Sequence, residues 1–296
     1  MTVNQTILLT GGTGFLGSNL LQRLVKDQYR IILLKRSSSD TSRINDYLPK
    51  LTSYDIDQTD LRQIIRNNRI DIIIHCATNY GRSEIDPIAL LEANLILPLK
   101  LLQLGSSNNV RCFINTDTVL DKGVNYYSLS KNQFKEWLKV YATEILCINI
   151  ALEHFYGPHD DQTKFVAYII RSILANMEKI DLTKGEQKRD FIYIDDVVDA
   201  FLKVINHSAL LERGFLNYEI GTNHAITIKE FVSLVKRLAN NSSTYLNFGV
   251  LPYRDNEIME SFVDTSEIRK LGWKPNSSLE DGLLKTINSE REHNNR

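Results

Sequence analysis

Through the first half of the chain, short continuous apolar runs alternate with segments of helical period. The runs TILLTG (6–11), RIILLK (30–35), DIIIHCA (71–77), VRCFIN (110–115) and ILCINIAL (145–152) read as strands buried on both faces. Between the first two, residues 15–26 place Leu16, Leu20, Leu21 and Leu24 on one helical face. Residues 60–68 predict a short helix. Asp86-Pro87 opens a longer one, with Asp as N-cap and Pro in the first turn, and Pro98 should kink it. A further helix spans about 126–144. Buried strands separated by helices predict a Rossmann-type, doubly wound parallel α/β sheet covered on both faces.

After about Leu152 the rhythm changes. A helix over roughly 164–178 precedes RDFIYIDDVVDAFLKVI, a strand running into a helix. GFLNYEIG (214–221) predicts a strand, and Thr227 with Glu230 makes a capping box that opens a helix to about Leu238. The pattern predicts a larger domain of residues 1–153, to which roughly 187–223 returns, and a smaller C-terminal α/β domain of 154–186 and 224–296. The closing NSEREHNNR is polar and expected to fray.

TGGTGFLG sits between the first strand and the first helix, which gives its glycines a mechanical reading. Gly11 permits the tight turn, Gly14 lets backbone approach a pyrophosphate, and Gly17 allows close helix–sheet packing. The N–H groups at the helix start, around Thr13, Phe15 and Leu16, then face the anion. This predicts a dinucleotide site. The end of the second strand bears on which dinucleotide. An NAD site usually carries an acid there for the ribose 2′-hydroxyl. Here the chain reads Lys35-Arg36-Ser37-Ser38-Ser39, with no acid before Asp40. A guanidinium and a hydroxyl suit a 2′-phosphate, so Arg36 and Ser37 point to NADPH; a plain solvated basic loop is the alternative.

Composition narrows the class little. Hydrophobic content of 43% and charged content of 24% are those of an ordinary globular protein. A net charge of −1 gives no electrostatic case for nucleic acid or an anionic membrane. Cys76, Cys112 and Cys147 each lie in apolar runs and read as buried thiols of a reducing compartment. The N-terminus shows no leader pattern and the chain no spanning segment, so cytoplasm is the expectation. The six histidines are scattered without ligand spacing, so no metal is expected.

Tyr127 and Lys131 are four apart, hence on one helical face. A phenol can protonate a carbonyl oxygen that gains a hydride, and a nearby ammonium lowers its pKa. Thr116, at the end of the preceding strand, can bond the same oxygen. At this point the chain resembles the extended short-chain dehydrogenase/reductase family of nucleotide-sugar modifiers. The resemblance rests on TGGTGFLG, Asp55-Ile56, HCAT (75–78), Asn94, the Thr116–Tyr127–Lys131 set, YGP (156–158), GEQKRDFIYIDDVVDA (185–200) and LGWKPNSSLEDGL (271–283). It implies Tyr127 as catalytic acid/base, Lys131 on the nicotinamide ribose, Thr116 on the reacting oxygen, Asp55-Ile56 at the adenine and Ala77 along the cofactor. It also implies Arg189, Arg254 and Lys164 on a diphosphate, and His154, Thr78 and Asp117 near the sugar. For Lys164, Thr78 and Asp117 ordinary structural duty is an equal alternative. Ala151 departs from the family, which usually has arginine there. A homodimer through paired helices, one bearing Tyr127, is a further expectation.

FINTDTVLD, LEHFYGPHDDQTKF and YRDNEIM are most similar to the branch that forms CDP-abequose and CDP-paratose. The resemblance implies NADPH-dependent reduction of the 4-keto group of a nucleotide-linked deoxyhexose, CDP-linked or alternatively dTDP-linked, for O-antigen lipopolysaccharide. A 4,6-dehydratase would need a glutamate base where Thr118 stands. A 4-epimerase would favour NAD. A non-catalytic dinucleotide sensor would not need the Thr116–Tyr127–Lys131 set.

Overall fold

The computed structural model describes residues 5–81 and 86–294. The first four residues of the N-terminal reading and the last two of the polar tail lie outside them. In chain order the strands are β1 (Thr6–Thr10), β2 (Arg30–Lys35), β3 (Thr52–Asp55), β4 (Ile72–His75), β5 (Cys112–Thr118) and β6 (Leu146–Leu152). Then come β7 (His154–Tyr156), β8 (Lys179–Leu182), β9 (Lys188–Tyr193), β10 (Gly214–Ile220), β11 (Ala225–Thr227) and β12 (Tyr245–Phe248). The α-helices are α1 (Phe15–Lys26), α2 (Leu61–Asn67), α3 (Pro87–Leu91), α4 (Leu97–Ser107) and α5 (Tyr126–Tyr141). They continue with α6 (Phe165–Leu174), α7 (Ile194–Ser208), α8 (Ile228–Leu238), α9 (Ser266–Lys270) and α10 (Leu279–Asn294).

Two compact units result: 1–152 with 198–219, and 153–197 with 220–296. The first holds a seven-stranded sheet in the order β10-β6-β5-β4-β1-β2-β3, whose pairs from β3 through β6 are all parallel. Strands of Ile and Leu are buried on both faces because helices cover both. On one face Leu8, Ile32, Ile73 and Phe113 pack with Ile64 and Ile65 of α2, Leu101 and Leu102 of α4 and Phe134 and Leu138 of α5. The segment returning to this unit is 198–219, shorter than the 187–223 that the pattern predicts. Residues 188–193 instead pair in the second unit's three-stranded sheet, β11-β9-β7.

Several boundaries differ from the sequence reading. Where a kink at Pro98 is expected, the helix takes a π-helical turn over Glu92–Ile96, just ahead of the proline. The wider turn accommodates the ring and the missing N–H of Pro98, which sits in the first turn of α4. The 87–107 stretch has the length and apolarity of a membrane span. Its Leu90, Asn94, Pro98, Leu101, Leu102 and Gly105 are nevertheless buried in the first unit. The helix expected over 164–178 ends at Leu174, because Asn176 turns to a left-handed φ of 52° and β8 follows.

The polar tail stays helical through Asn294. In α10, Leu283, Ile287 and Glu290 are buried, and Glu290 accepts from Arg171 Nε at 2.8 Å and from His159 N at 3.1 Å. In the same unit Asp196 accepts from Asn276 N and Ser277 N, while Trp273 Nε1 donates to the Asp196 carbonyl at 3.1 Å. Those bonds tie Asp196 of the IDDVVDA segment to LGWKPNSS.

Candidate active site

The glycine turn is built for a close backbone approach. Gly11 has φ +70°, and a Cβ there would lie 2.4 Å from the Ala77 nitrogen just beyond β4. A Cβ on Gly17 would lie 2.1 Å from the Gly11 carbonyl oxygen, so α1 can sit this near β1 only with glycine. Gly14 is the N-cap of α1 and has no side chain to satisfy the first-turn N–H groups; its own N–H donates to Gly11 O at 3.0 Å. Phe15 and Leu16 anchor that turn in the core, leaving Thr13 half-buried and Gly14 exposed. An uncapped helix start with no acid in its first turn fits a diphosphate.

The ends of β2 and β3 bring together groups that are distant in sequence. Parallel pairing sets Lys35 opposite Asp55, and their side chains form an ion pair. Two residues on, Ser37 N donates to Asp57 Oδ1 at 2.9 Å and Ser37 Oγ to Asp57 Oδ2. The Ser37 hydroxyl and N–H hold the Asp57 carboxyl below the usual range. Arg36 is exposed, with its N–H donating to Ser39 Oγ. Asp40 is occupied by Ser42 N and Oγ. Ile56 N donates to Lys35 O, which fixes the Asp55-Ile56 turn. The basic run of the sequence is therefore a balanced set of charges.

Helix α5 starts in a capping box: Asn125 accepts from Ser128 N at 2.8 Å, and Ser128 Oγ accepts from Asn125 N. This pins the first turn that carries Tyr127. The Tyr127 side chain is half-buried and its ring lies 5.1 Å from that of Tyr80. Lys131, one turn on, is 1% exposed, and its Nζ donates to the Thr116 carbonyl at 2.7 Å. Burial pushes its pKa down to about 8 against the opposing pull of Asp117 and Cys76. The Thr116 hydroxyl donates to Cys76 Sγ at 3.3 Å, and burial pushes that thiol up to about 11. Thr116, Tyr127 and Lys131 thus belong to one unit, with Lys131 bonded directly to the end of β5.

Polar groups behind them form a buried row. Asn149 of β6 donates to Asp117 Oδ2 and to Asn217 of β10, both at 2.8 Å, while accepting from Asn115 of β5. Asp117 also accepts from Thr118 N at 2.8 Å and is 4% exposed. That occupancy fits the strand-end structural alternative for Asp117 better than a sugar contact. His75, wholly buried, is hydrogen-bonded through Nδ1 to Thr10 Oγ1 at 2.8 Å; burial, then Lys131, depress its pKa well below the ordinary value, which favours the neutral ring. Asn94 of the π turn bonds Ser130 Oγ and the Asn79 backbone, holding the loop that carries Thr78 and Tyr80. Asn149 and Asn217 have no local sequence signal, because strands from distant segments bring them together.

In the second unit the expected phosphate cations divide. The Arg189 guanidinium is paired with Glu257 and donates to the Ile258 and Lys188 carbonyls, so it is engaged within its own unit. Lys164 pairs with Asp160 at 3.0 Å and stands over the Phe155 ring at 4.4 Å. Arg254 is exposed. The His154 Nδ1 bonds Glu153 Oε2 at 2.9 Å, and Glu153 is a buried carboxylate that also accepts from Ser261. This fixes the imidazole by one nitrogen. In the first unit, Ala151 is 5% exposed within β6.

Residues 7–221 match the model of the NAD dependent epimerase/dehydratase family. The CDP-abequose synthase of Salmonella muenchen is 38% identical over 97% of this chain and 98% of its own. The enzyme of that name from Salmonella typhimurium is 32% identical over 95% and 97%. The UDP-glucose 4-epimerase of Thermotoga maritima, solved with UDP-glucose, superposes with a TM-score of 0.86 at 25% identity, covering 98% of this chain and 99% of that one. The glycine turn, the Tyr–Lys helix and near full-length similarity lead to one assignment: the chain belongs to the NAD dependent epimerase/dehydratase family.

Proposed function

We propose that this chain modifies a nucleotide sugar with a nicotinamide dinucleotide, and that the reaction is reduction of the 4-keto group of a 6-deoxy or 3,6-dideoxyhexose. The observation that carries the reading is the bond from Lys131 of α5 to the Thr116 carbonyl of β5, with Tyr127 one helical turn before Lys131 and all three in the same unit as the glycine turn. A reduced nicotinamide, when bound, supplies the hydride. Tyr127 gives its phenolic proton to the sugar O4. Lys131 keeps that phenol acidic and bonds the nicotinamide ribose. Thr116, by turning its hydroxyl from Cys76, supports the same oxygen. The diphosphate rests on the start of α1, with Gly11, Thr13 and Gly14 giving it room, Gly17 letting α1 sit close to β1, and Ala77 beside it.

Similarity to two CDP-abequose synthases supports a CDP-linked substrate over a dTDP-linked one, and a role in O-antigen synthesis. Exposed Arg36 supports NADPH. Arg254 is an exposed cation for the substrate diphosphate, which would compete with Glu257 for Arg189; His154, Thr78 and Lys164 serve the sugar and phosphates. The apolar positions Tyr126, Trp137 and Val140 exposed along α5 support a homodimer.

Thr118 in place of a base argues against 4,6-dehydration. The test is to offer NADPH with CDP-linked 4-keto sugar to the wild type and to Tyr127→Phe. The wild type should oxidise the cofactor. The variant should lose turnover by about three orders of magnitude yet still bind NADPH. Equal turnover removes Tyr127 from the chemistry.

A further inference from the structure

We infer that Asp57 sets how strongly the dinucleotide site discriminates between an adenosine ribose bearing a 2′-phosphate and one bearing a 2′-hydroxyl. The inference rests on the dinucleotide reading above. In a sheet of this kind the ribose lies beyond the carboxyl end of the second strand. The parallel register of β2 on β3 ends at Lys35–Asp55, and two residues on, Ser37 is bonded to Asp57 there. Ser37 offers two donors suited to a phosphate oxygen, its N–H and its hydroxyl, and both already bond the Asp57 carboxylate.

A carboxylate so held is an anion in the place a 2′-phosphate needs. Of the charged groups in this loop, Lys35 is paired with Asp55, Asp40 is held by Ser42 with Arg43 near it, and Arg36 is an exposed cation able to face the phosphate. Both Arg36 and Asp57 are exposed, so neither is fixed by packing. A 2′-phosphate gains Arg36 and meets Asp57, either displacing it from Ser37 or lying against a like charge. A 2′-hydroxyl meets no such conflict and can donate to the carboxylate. Asp57 therefore opposes Arg36, and selectivity is the difference between them. The linear sequence hides this, because Asp57 stands twenty residues from Ser37.

The test titrates the nucleotide-free full chain with adenosine 2′,5′-bisphosphate and with 5′-AMP by calorimetry, in the wild type, Asp57→Asn and Asp57→Ala. Asp57 is on the surface, so both variants should keep the wild-type circular dichroism. Each should raise the affinity ratio for the bisphosphate over 5′-AMP by at least roughly fivefold at low salt, the scale of two unit charges about 4 Å apart in water-like surroundings. The gain should shrink toward unity near ~1 M salt. Arg36→Ala should move the ratio the opposite way. An unchanged ratio in both Asp57 variants overturns the role of Asp57 and leaves the dinucleotide reading intact. If the wild type binds neither nucleotide, both fall together.

Discussion

Lys131→Met should make the nucleotide-free protein more stable at neutral pH while destroying its chemistry. The ammonium is 1% exposed, and burial pushes its pKa from 10.5 to about 8. A drop of that size corresponds to roughly 3 kcal/mol carried by the charged form in the folded state. Below pH 8 both folded and unfolded chains hold the proton, so the full penalty is present. Between pH 8 and 10.5 the folded protein releases the proton and the unfolded chain keeps it, so stability rises with pH. Methionine fills similar volume without charge. It forfeits the bond to the Thr116 carbonyl, worth about 1 kcal/mol; the attraction of Asp117 is already contained in the value of about 8. The net expectation is a gain of about 1–2 kcal/mol near pH ~7 that largely vanishes by about pH 10. Urea unfolding of both proteins near neutrality and again at about pH 9.5 measures it, because that interval spans the titration of the buried ammonium. A stability difference between the two proteins that stays the same at both pH values would refute the electrostatic cause.

Three further outcomes are expected. Gly17→Ala should cost about 2–3 kcal/mol in thermal or urea unfolding, because its Cβ would lie 2.1 Å from the Gly11 carbonyl oxygen and α1 must move off the sheet. Arg171→Met should cost about 3 kcal/mol by the same measurement, since it leaves the buried Glu290 carboxylate without its ion-pair partner. Trp137→Glu should turn a dimer into a monomer in sedimentation velocity if the exposed apolar side of α5 is the interface; an unchanged sedimentation coefficient would move the interface elsewhere.

Legibility follows how local each signal is. The apolar strands and α1 are readable because burial on both faces leaves continuous Ile and Leu runs, and the bounds of α1 and the Thr227 capping box agree with the sequence. β3 escapes the pattern because an edge strand of sequence TSYD, only half-buried, has no apolar run. That one omission conceals the pairing of Asp55 and Asp57 with the Lys35–Ser37 segment, and so makes the loop look basic. A guanidinium in a motif carries no record of its partner, so the pairing of Arg189 with Glu257, far along the chain, needs the fold to be seen. The Asp117–Asn149–Asn217 row depends on strand order, which no local pattern encodes. The C-terminal helix looks like a loose tail because polar letters outnumber the few residues, Leu283, Ile287 and Glu290, that anchor it.

Net hydride transfer from cofactor to sugar is what separates a reductase from its epimerase and dehydratase relatives, and isotope tracing follows that hydride itself. NADPH deuterated at nicotinamide C4 is supplied with a CDP-linked 4-keto deoxyhexose, and the product is read by NMR. One cofactor should be oxidised per sugar formed, and deuterium should appear at C4 of the product, from one face of the nicotinamide. Sugar interconversion without net cofactor oxidation, or a product lacking deuterium at C4, would be incompatible with 4-ketoreduction.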